Sequence, residues 1–345
     1  MGVLAGLARL GVATDVTARR APEHGPLLVV GLFVTVIALE RAVAFGRSWA
    51  ALVPILAAAT AAALIVGSPL APWAAVASAV GLTAVNAALV WRRPALFGWL
   101  TWGGSLLLLL GNLVWAGGRG VVVVVPAWLA FLVLTIAAER VRWSRSAALP
   151  RWALPALTVV AAGLAALVVA RVTSRQDVDR AIGVALVLVA VWQFRFDVAR
   201  HALAQSGMTR FIGLGVLAGT AWLLVGGVLL AWQGLPPAGP IYDAVLHAVF
   251  VGHVFGTVFA HAPTMLASVA GARVPFSRAL YWPAGLLHLS LVMRVAGDLC
   301  GSLTWRQAGS VGNAIAMAAF AMAAAGSHVH LRRTETEAPR MGKRG

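Results

Sequence analysis

Long apolar runs separated by short polar segments dominate this chain of 345 residues. Each run is about 20 residues long, which is the length that an α-helix needs to cross roughly 30 Å of hydrocarbon. The polar segments between the runs are too short to form a soluble domain. The pattern predicts eleven membrane spans, at residues 26–45, 49–67, 72–91, 95–115, 121–140, 152–171, 178–197, 210–232, 241–262, 279–299 and 304–327.

A shorter apolar run, residues 1–12, precedes the first of these spans. It is too short to cross a bilayer but has the character of the end of a helix, as if a first span were incomplete or the true start lay upstream of Met1. We therefore predict an all-α, polytopic membrane helix bundle of eleven full spans plus a partial N-terminal helix, a twelve-helix layout. Its predicted parts are a partial helix and outer loop at 1–25, a transmembrane bundle at 26–331 and a basic cytoplasmic tail at 332–345.

The composition fits a membrane protein and argues against two other classes. The chain is 61% hydrophobic, with a mean hydropathy of +0.88. The formal net charge of +16 does not indicate nucleic-acid binding, because the basic residues punctuate the gaps between spans and form no patch. The single cysteine, Cys300, excludes an intramolecular disulfide and a cysteine metal cage.

The distribution of arginine predicts how the bundle is oriented. With the C-terminal tail in the cytoplasm, the cytoplasmic segments hold more than twice as many basic residues as the outer ones. This is the bias that sets membrane topology. We expect a multi-pass protein of the cytoplasmic (inner) membrane, surrounded by the lipid bilayer, with a cytoplasmic C-terminus. No signal peptide is predicted, because no basic segment with a cleavage site precedes the first apolar run.

Two histidines at matching depth are the strongest indication of chemistry. His24 lies at the outer start of span 26–45, and His247 lies near the outer end of span 241–262. Ionisable side chains at membrane depth are costly and usually functional. Two imidazoles from different helices at one depth can hold a haem iron from both faces. The sequence therefore favours His24 and His247 as axial haem ligands.

Three further histidines lie in the same region. His253 and His288 are placed near the midplane, and His261 lies near the cytoplasmic end of the same span as His253. At 100° per residue His253 points away from His247, so one helix could serve two pockets. These histidines are candidates for a second haem or a metal ion. The alternative is that each is a hydrogen-bonded core imidazole that joins two helices.

Charged residues surround the outer histidines in the sequence. Arg294 and Asp298, four residues apart on one helix, are interpreted as a self-neutralising pair. The alternative is that Arg294 or Arg306 binds an anionic group, such as the propionates of a haem. Asp243 and Asp298 are candidates to orient His247 through a hydrogen bond.

At the predicted cytoplasmic side, two acid–arginine pairs end their spans. Glu40 with Arg41, and Glu139 with Arg140, are interpreted as snorkelling interface residues. A proton-entry role for Glu40 is the alternative. Gly252 and Gly256 form a G-x-x-x-G that indicates close helix packing or room for a flat cofactor.

These features resemble the NnrS-like family of haem and copper membrane proteins and, more distantly, the catalytic subunit of haem–copper oxidases. The likeness rests on the twelve-helix layout, on HGPLLVVGLFVTVIALERA from His24, and on the histidine-rich YDAVLHAVFVGHVFGTVFAHAP. In the oxidases, histidines of helices 2 and 10 hold the low-spin haem, which implies His24 with His247 or His253. The oxidases also carry copper-site histidines on helices 6 and 7, whereas this chain has no histidine from residue 25 to residue 200.

The resemblance implies a membrane haem protein, with copper as a further candidate, in nitric oxide or redox stress handling or in electron transfer with a redox partner. In this interpretation Arg294 and Arg306 offset propionate charge. The alternative function is a cofactor-free transporter, in which His253, His288, Arg294 and Asp298 line a substrate or proton path.

Overall fold

A computed structural model of the protein describes residues 1–12, 18–144, 149–173, 177–270 and 276–341. These residues form twelve helices, α1 to α12, with a short helical turn at Ala199–Ala202 between α8 and α9. The bounds are α1 Gly2–Ala8, α2 Ala21–Phe45, α3 Ser48–Val66, α4 Ala71–Arg92, α5 Leu96–Ala116, α6 Val121–Trp143, α7 Ala153–Thr173, α8 Asp179–Phe196 and α9 Gly207–Gln233. The last three are α10, which begins at Pro240 and ends at Ala270, α11 Arg278–Leu299 and α12 Leu303–Met341.

The bundle is that of a helical membrane protein, as predicted. Nine of the described helices are long and apolar enough to cross a membrane. Neither α8 nor α12 is among them, although both coincide with predicted spans; α8 carries Asp179, Arg180 and Arg195 within its 18 residues. Three charged side chains in 18 residues are more than a lipid-crossing segment of this length usually carries.

Two predicted boundaries differ from the structure. The helical run of α2 begins at Ala21, so His24 lies inside the first turns of the helix and not before it. At the other end, α12 continues to Met341, past the predicted start of the tail at residue 332. A hydrophobicity pattern marks where a helix leaves lipid, whereas Arg, Glu and Ala sustain a helix in water as well. Residues 342–345 of the predicted tail lie outside the described residues.

Helix α6 forms the centre of the bundle. Its side chains are mostly buried, and Trp128 and Phe131 are fully so. The indole Nε1 of Trp128 donates a hydrogen bond to Oδ1 of Asn112 at 2.8 Å, and Asn112 Nδ2 donates to the Ala75 carbonyl at 3.0 Å. These bonds satisfy polar atoms at a depth where water cannot, and they tie α4, α5 and α6 together.

Helices α2 and α10 each contain a π-helical segment that begins within three residues after a candidate histidine. The segments are Leu27–Phe33 in α2 and Ala248–Phe255 in α10. The two segments meet where the Phe33 and Phe255 rings touch edge to face, with centroids 4.7 Å apart. A π-helical turn widens the helix and is frequently found at functional sites.

Candidate functional site

The predicted His24–His247 pair lies together in the structure. The two ring centroids are 6.4 Å apart and the ring planes differ by 17°. The imidazoles come from the N-terminal parts of α2 and α10. The agreement in depth expected from the sequence therefore brings the two side chains to one place.

Backbone carbonyls hold both imidazoles by the same nitrogen. His24 Nδ1 lies 2.7 Å from the Gly2 carbonyl oxygen, and His247 Nδ1 lies 2.7 Å from the Asp243 carbonyl oxygen. Because a carbonyl oxygen only accepts, each Nδ1 carries the hydrogen and each Nε2 keeps its lone pair for a ligand. Of the two aspartates predicted to orient His247, Asp243 does so, through its backbone carbonyl, while its carboxylate is paired with arginines.

Helix α1 supports His24 in a way that the sequence did not reveal. A Cβ at Gly6 would lie 2.5 Å from Cε1 of the His24 ring, which is closer than atoms pack. The absent side chain therefore gives His24 its position against α1, while Gly2 of the same helix provides the carbonyl acceptor. In the sequence, the surface of α1 that contacts His24 is marked only by Gly2 and Gly6, which are four residues apart.

A valine at Gly6 should displace the His24 ring. We expect the Gly6→Val variant to retain roughly one tenth or less of the bound haem proposed below, because loss of a supporting contact typically weakens metal sites about 10- to 100-fold. The haem absorbance per protein measures this. The control is Gly163→Val on α7, where an added Cβ meets nothing within 4 Å. Equal haem content in the two variants would contradict the role of Gly6.

Two cavities border the histidine pair. The apolar one, of about 90 Å³, extends into the bundle between α2, α6 and α10, with Phe33, Trp128 and Phe250 on its wall. The polar one, of about 340 Å³, lies on the side of α1 and the start of α12 and is lined by arginines. His24 and His247 line both cavities, so the pair stands at a boundary between an apolar and a charged environment.

A buried network of charges forms the wall of the polar cavity. Arg294 pairs with Asp298 at 3.0 Å and with Asp243 at 3.0 Å. Arg306 pairs with the same two carboxylates, at 2.9 Å from Asp243 and 2.6 Å from Asp298. The Arg294–Asp298 pair expected from the sequence is thus confirmed, within a larger network. Two arginines and two aspartates balance one another there.

Arg9 adds a further positive charge that the sequence interpretation missed. It lines both cavities and is exposed at the end of α1. Among the described residues, no carboxylate lies within ion-pair distance of its guanidinium. With Arg294 and Arg306 balanced by two aspartates, Arg9 leaves the polar cavity with an excess positive charge. That excess suits an anionic group.

The residues of the pair fit the axial ligands of a haem. A metal–imidazole bond is about 2 Å long and the ring centre lies about 1 Å further, so two centroids across one iron are roughly 6 Å apart. The observed 6.4 Å between the ring centroids agrees with this spacing, and coordination would also need both Nε2 atoms to face the iron. The apolar cavity is smaller than a porphyrin, so binding requires the half-buried Leu28 and Phe250 beside it to move aside.

The other predicted histidines do not join this pair. His253 is fully buried, with Nδ1 3.1 Å from the Gly219 carbonyl and Nε2 without a partner in the described residues. His288 Nδ1 accepts a hydrogen bond from Trp222 at 3.2 Å. His261 Nε2 accepts from Arg140, and its ring is nearly parallel to Trp143. Each of these three histidines contacts a residue of a different helix. This agrees with the interpretation that each is a core imidazole joining two helices.

The described residues contain no group of three or more His, Cys, Asp or Glu side chains placed to hold a metal ion. Copper therefore stays a prediction of the resemblance, and the second haem or metal ion predicted at His253, His261 and His288 stays a prediction as well. A haem with two axial imidazoles needs no such group, because the porphyrin supplies the other four ligands.

Comparison with known proteins gives the family. No curated protein and no solved structure gave a significant match to the chain. A family model described as a domain of unknown function, DUF8744, matches residues 1–329. The match spans the His24–His247 pair, its arginines and nearly the whole bundle. The chain therefore belongs to the DUF8744 family.

Proposed function

We propose that the protein is a membrane haem protein in which His24 and His247 are the axial ligands. The observation that carries this proposal is the 6.4 Å separation of two near-parallel imidazoles, each fixed through Nδ1 by a backbone carbonyl. An iron held in this way exchanges single electrons, and two axial imidazoles leave it no open position for a gas. Electron transfer, with a redox partner, is therefore favoured over binding of nitric oxide or oxygen.

The residues around the pair would each contribute to binding the proposed haem. The Gly2 and Asp243 carbonyls hold the imidazole rings and set the tautomer that leaves Nε2 as the ligand atom. Phe33 and Trp128 present an apolar wall that excludes water. Arg9, with the excess positive charge, is placed to offset the propionates, because Arg294 and Arg306 are already paired with aspartates.

The membrane location, the orientation, the number of spans and the NnrS-like relationship belong to the same proposal. The arginine bias supports an inner-membrane location with a cytoplasmic C-terminus, which places the histidine pair at the outer side. Eleven spans follow if α8 and α12 also cross the bilayer. The NnrS-like relationship is supported by the two histidine-bearing segments that form α2 and α10, and it suggests a role in redox or nitric oxide stress.

Purification of the protein in detergent tests the proposal. We expect a coloured protein with a Soret band, sharp bands on reduction, and about one haem per chain by extraction. A folded preparation that stays colourless when expressed with excess haem would contradict the proposal. It would favour the transporter, for which the charged outer cavity and a second cavity further along α2, α6 and α10 would be the starting points.

Removing the charge of Arg9 should lower the reduction potential of the haem. The oxidised iron carries one more positive charge, so a nearby cation favours the reduced state, and at an effective dielectric constant of about 20 the effect is roughly tens of millivolts. Redox titration of Arg9→Gln measures it, with Arg119→Gln, in an exposed segment between α5 and α6, as the control. An unchanged or higher potential in Arg9→Gln would contradict the placement of Arg9.

A further inference from the structure

A second cavity, here called the inner cavity, lies at the other end of the seam between α2, α6 and α10. Its volume is about 340 Å³, and Phe33 lines both this cavity and the apolar one next to the histidine pair. Its walls are mostly aliphatic, with Ile37, Leu132 and Val258 among them. Polar residues are gathered near the ends of α2, α6 and α10, where Glu40, Arg140 and His261 line it.

The charges around the inner cavity compensate one another. Arg41, only 8% exposed, pairs with Glu139 at 2.6 Å and lies 3.6 Å from Glu40. Arg142 lies 3.5 Å from Glu139, and Arg140 lies 3.8 Å from Asp197. Three arginines thus face three carboxylates, so this site offers no excess charge to an ionic ligand.

The sequence interpretation of Arg41 and Arg140 as snorkelling residues was wrong, since both side chains are buried in pairs across helices.

Asp197 is the carboxylate that keeps Arg140 in place. It follows the last residue of α8 and is 1% exposed, so its carboxylate is buried beside the Arg140 guanidinium. Its Oδ1 also accepts a hydrogen bond from the Ala199 backbone at 2.8 Å. The ion pair with Asp197 therefore fixes the position of the Arg140 side chain, which lines the inner cavity.

One hydrogen-bond donor remains for a ligand in the inner cavity. Arg140 can only donate, so His261 accepts at Nε2 and carries its hydrogen on Nδ1. In the part of the chain that the structure describes, no hydrogen bond uses His261 Nδ1, whereas the buried Nε of Arg140 lies 3.8 Å from Asp197 Oδ2. The Trp143 ring lies nearly parallel to His261, at 13° and 6.4 Å between centroids, and gives the cavity an aromatic platform.

We propose that the inner cavity binds the ring of a membrane quinone. A quinone is neutral, flat and apolar, which matches the balanced charges, the aromatic platform and the aliphatic walls. Its carbonyl oxygens are acceptors, and one of them can accept from His261 Nδ1. A fatty acid or phospholipid headgroup would instead need an excess of positive charge, as at Arg9. A redox role for this quinone would rest on the proposed haem; the binding itself uses only residues of the inner cavity.

Titration of the full-length, detergent-purified protein with decylubiquinone tests this proposal by calorimetry. We expect saturable binding to the wild type and roughly tenfold weaker binding to His261→Phe, which keeps the aromatic ring and loses the donor. The matched control is His201→Phe, at an exposed histidine in the turn between α8 and α9. Val36→Trp, at a lipid-exposed position on the cavity wall, should block binding without disturbing the charge pairs.

The outcomes separate this proposal from the haem proposal. Equal affinity in the wild type, His261→Phe and Val36→Trp, or no binding to any of them, would overturn the quinone site. Binding of palmitate but not of decylubiquinone would also overturn it. The His24→Ala variant should bind decylubiquinone with unchanged affinity. A haem-free protein that binds the quinone would therefore support the quinone site and contradict only the haem proposal.

Discussion

The His24→Ala and His247→Ala variants are expected to lose nearly all of their haem, with at least about a tenfold fall in Soret absorbance per chain. Each variant removes one of the two imidazoles that lie 6.4 Å apart. Loss even of a residue that only supports a metal ligand typically costs 10- to 100-fold in affinity, so loss of the ligand itself should cost more. The measurement is the haem-to-protein ratio of matched detergent preparations.

Two further variants sharpen this result. His201→Ala, at an exposed position away from the pair, should keep the full haem content. His247→Met should keep some haem and raise its reduction potential, because a thioether in place of an imidazole favours ferrous iron. Full haem occupancy in His24→Ala would show that this imidazole is not a ligand. Loss of haem in His201→Ala as well would indicate a general defect in folding.

Arg294→Met is expected to destabilise the fold by about 3–5 kcal/mol, the usual cost of removing one partner from a buried ion pair. The Arg294 side chain is only 3% exposed and pairs with Asp243 and Asp298. Its Nη1 also donates to the Ser310 hydroxyl at 2.5 Å. Without it, two carboxylates share Arg306 alone. Thermal unfolding of the purified protein in detergent, followed by circular dichroism, measures the loss.

The control for this effect is Arg142→Met. Arg142 pairs with Glu139 as well, but its side chain is 55% exposed, so water replaces the lost partner and the change should stay within about 1 kcal/mol. Arg294→Lys should fall between the two, since it keeps the charge and loses the fork of donors. Equal melting temperatures for Arg294→Met and Arg142→Met would contradict the importance of the buried network.

The sequence was a good guide to the helices and to the His24–His247 pair for one physical reason. A membrane fixes the direction and length of each helix, so the rise of 1.5 Å per residue converts sequence position into depth. His24 and His247 were therefore matched without any knowledge of packing. Depth alone cannot say whether two helices are neighbours, and here the contact between α2 and α10 had to come from the structure.

The sequence was a poorer guide to what surrounds the pair. Gly6 lies in a seven-residue helix that Arg9 follows directly, and the contact of this helix with His24 has no periodic signal in the sequence. The π-helical segment at Ala248–Phe255 also invalidates azimuths computed at 100° per residue beyond His247. This affects the expected directions of His253 and His261 in particular. Finally, hydropathy cannot distinguish a snorkelling arginine from Arg140, whose buried partner Asp197 lies far away in the sequence.

The electron paramagnetic resonance spectrum of the oxidised, haem-loaded protein tests the central claim most directly. Two imidazoles on one iron, with planes 17° apart, should give the rhombic low-spin ferric signal of near-parallel axial ligands. The same spectrum should be missing in both His24→Ala and His247→Ala. A high-spin ferric signal in the wild type, or a protein with no haem signal at all, would contradict the assignment of the two histidines as a ligand pair.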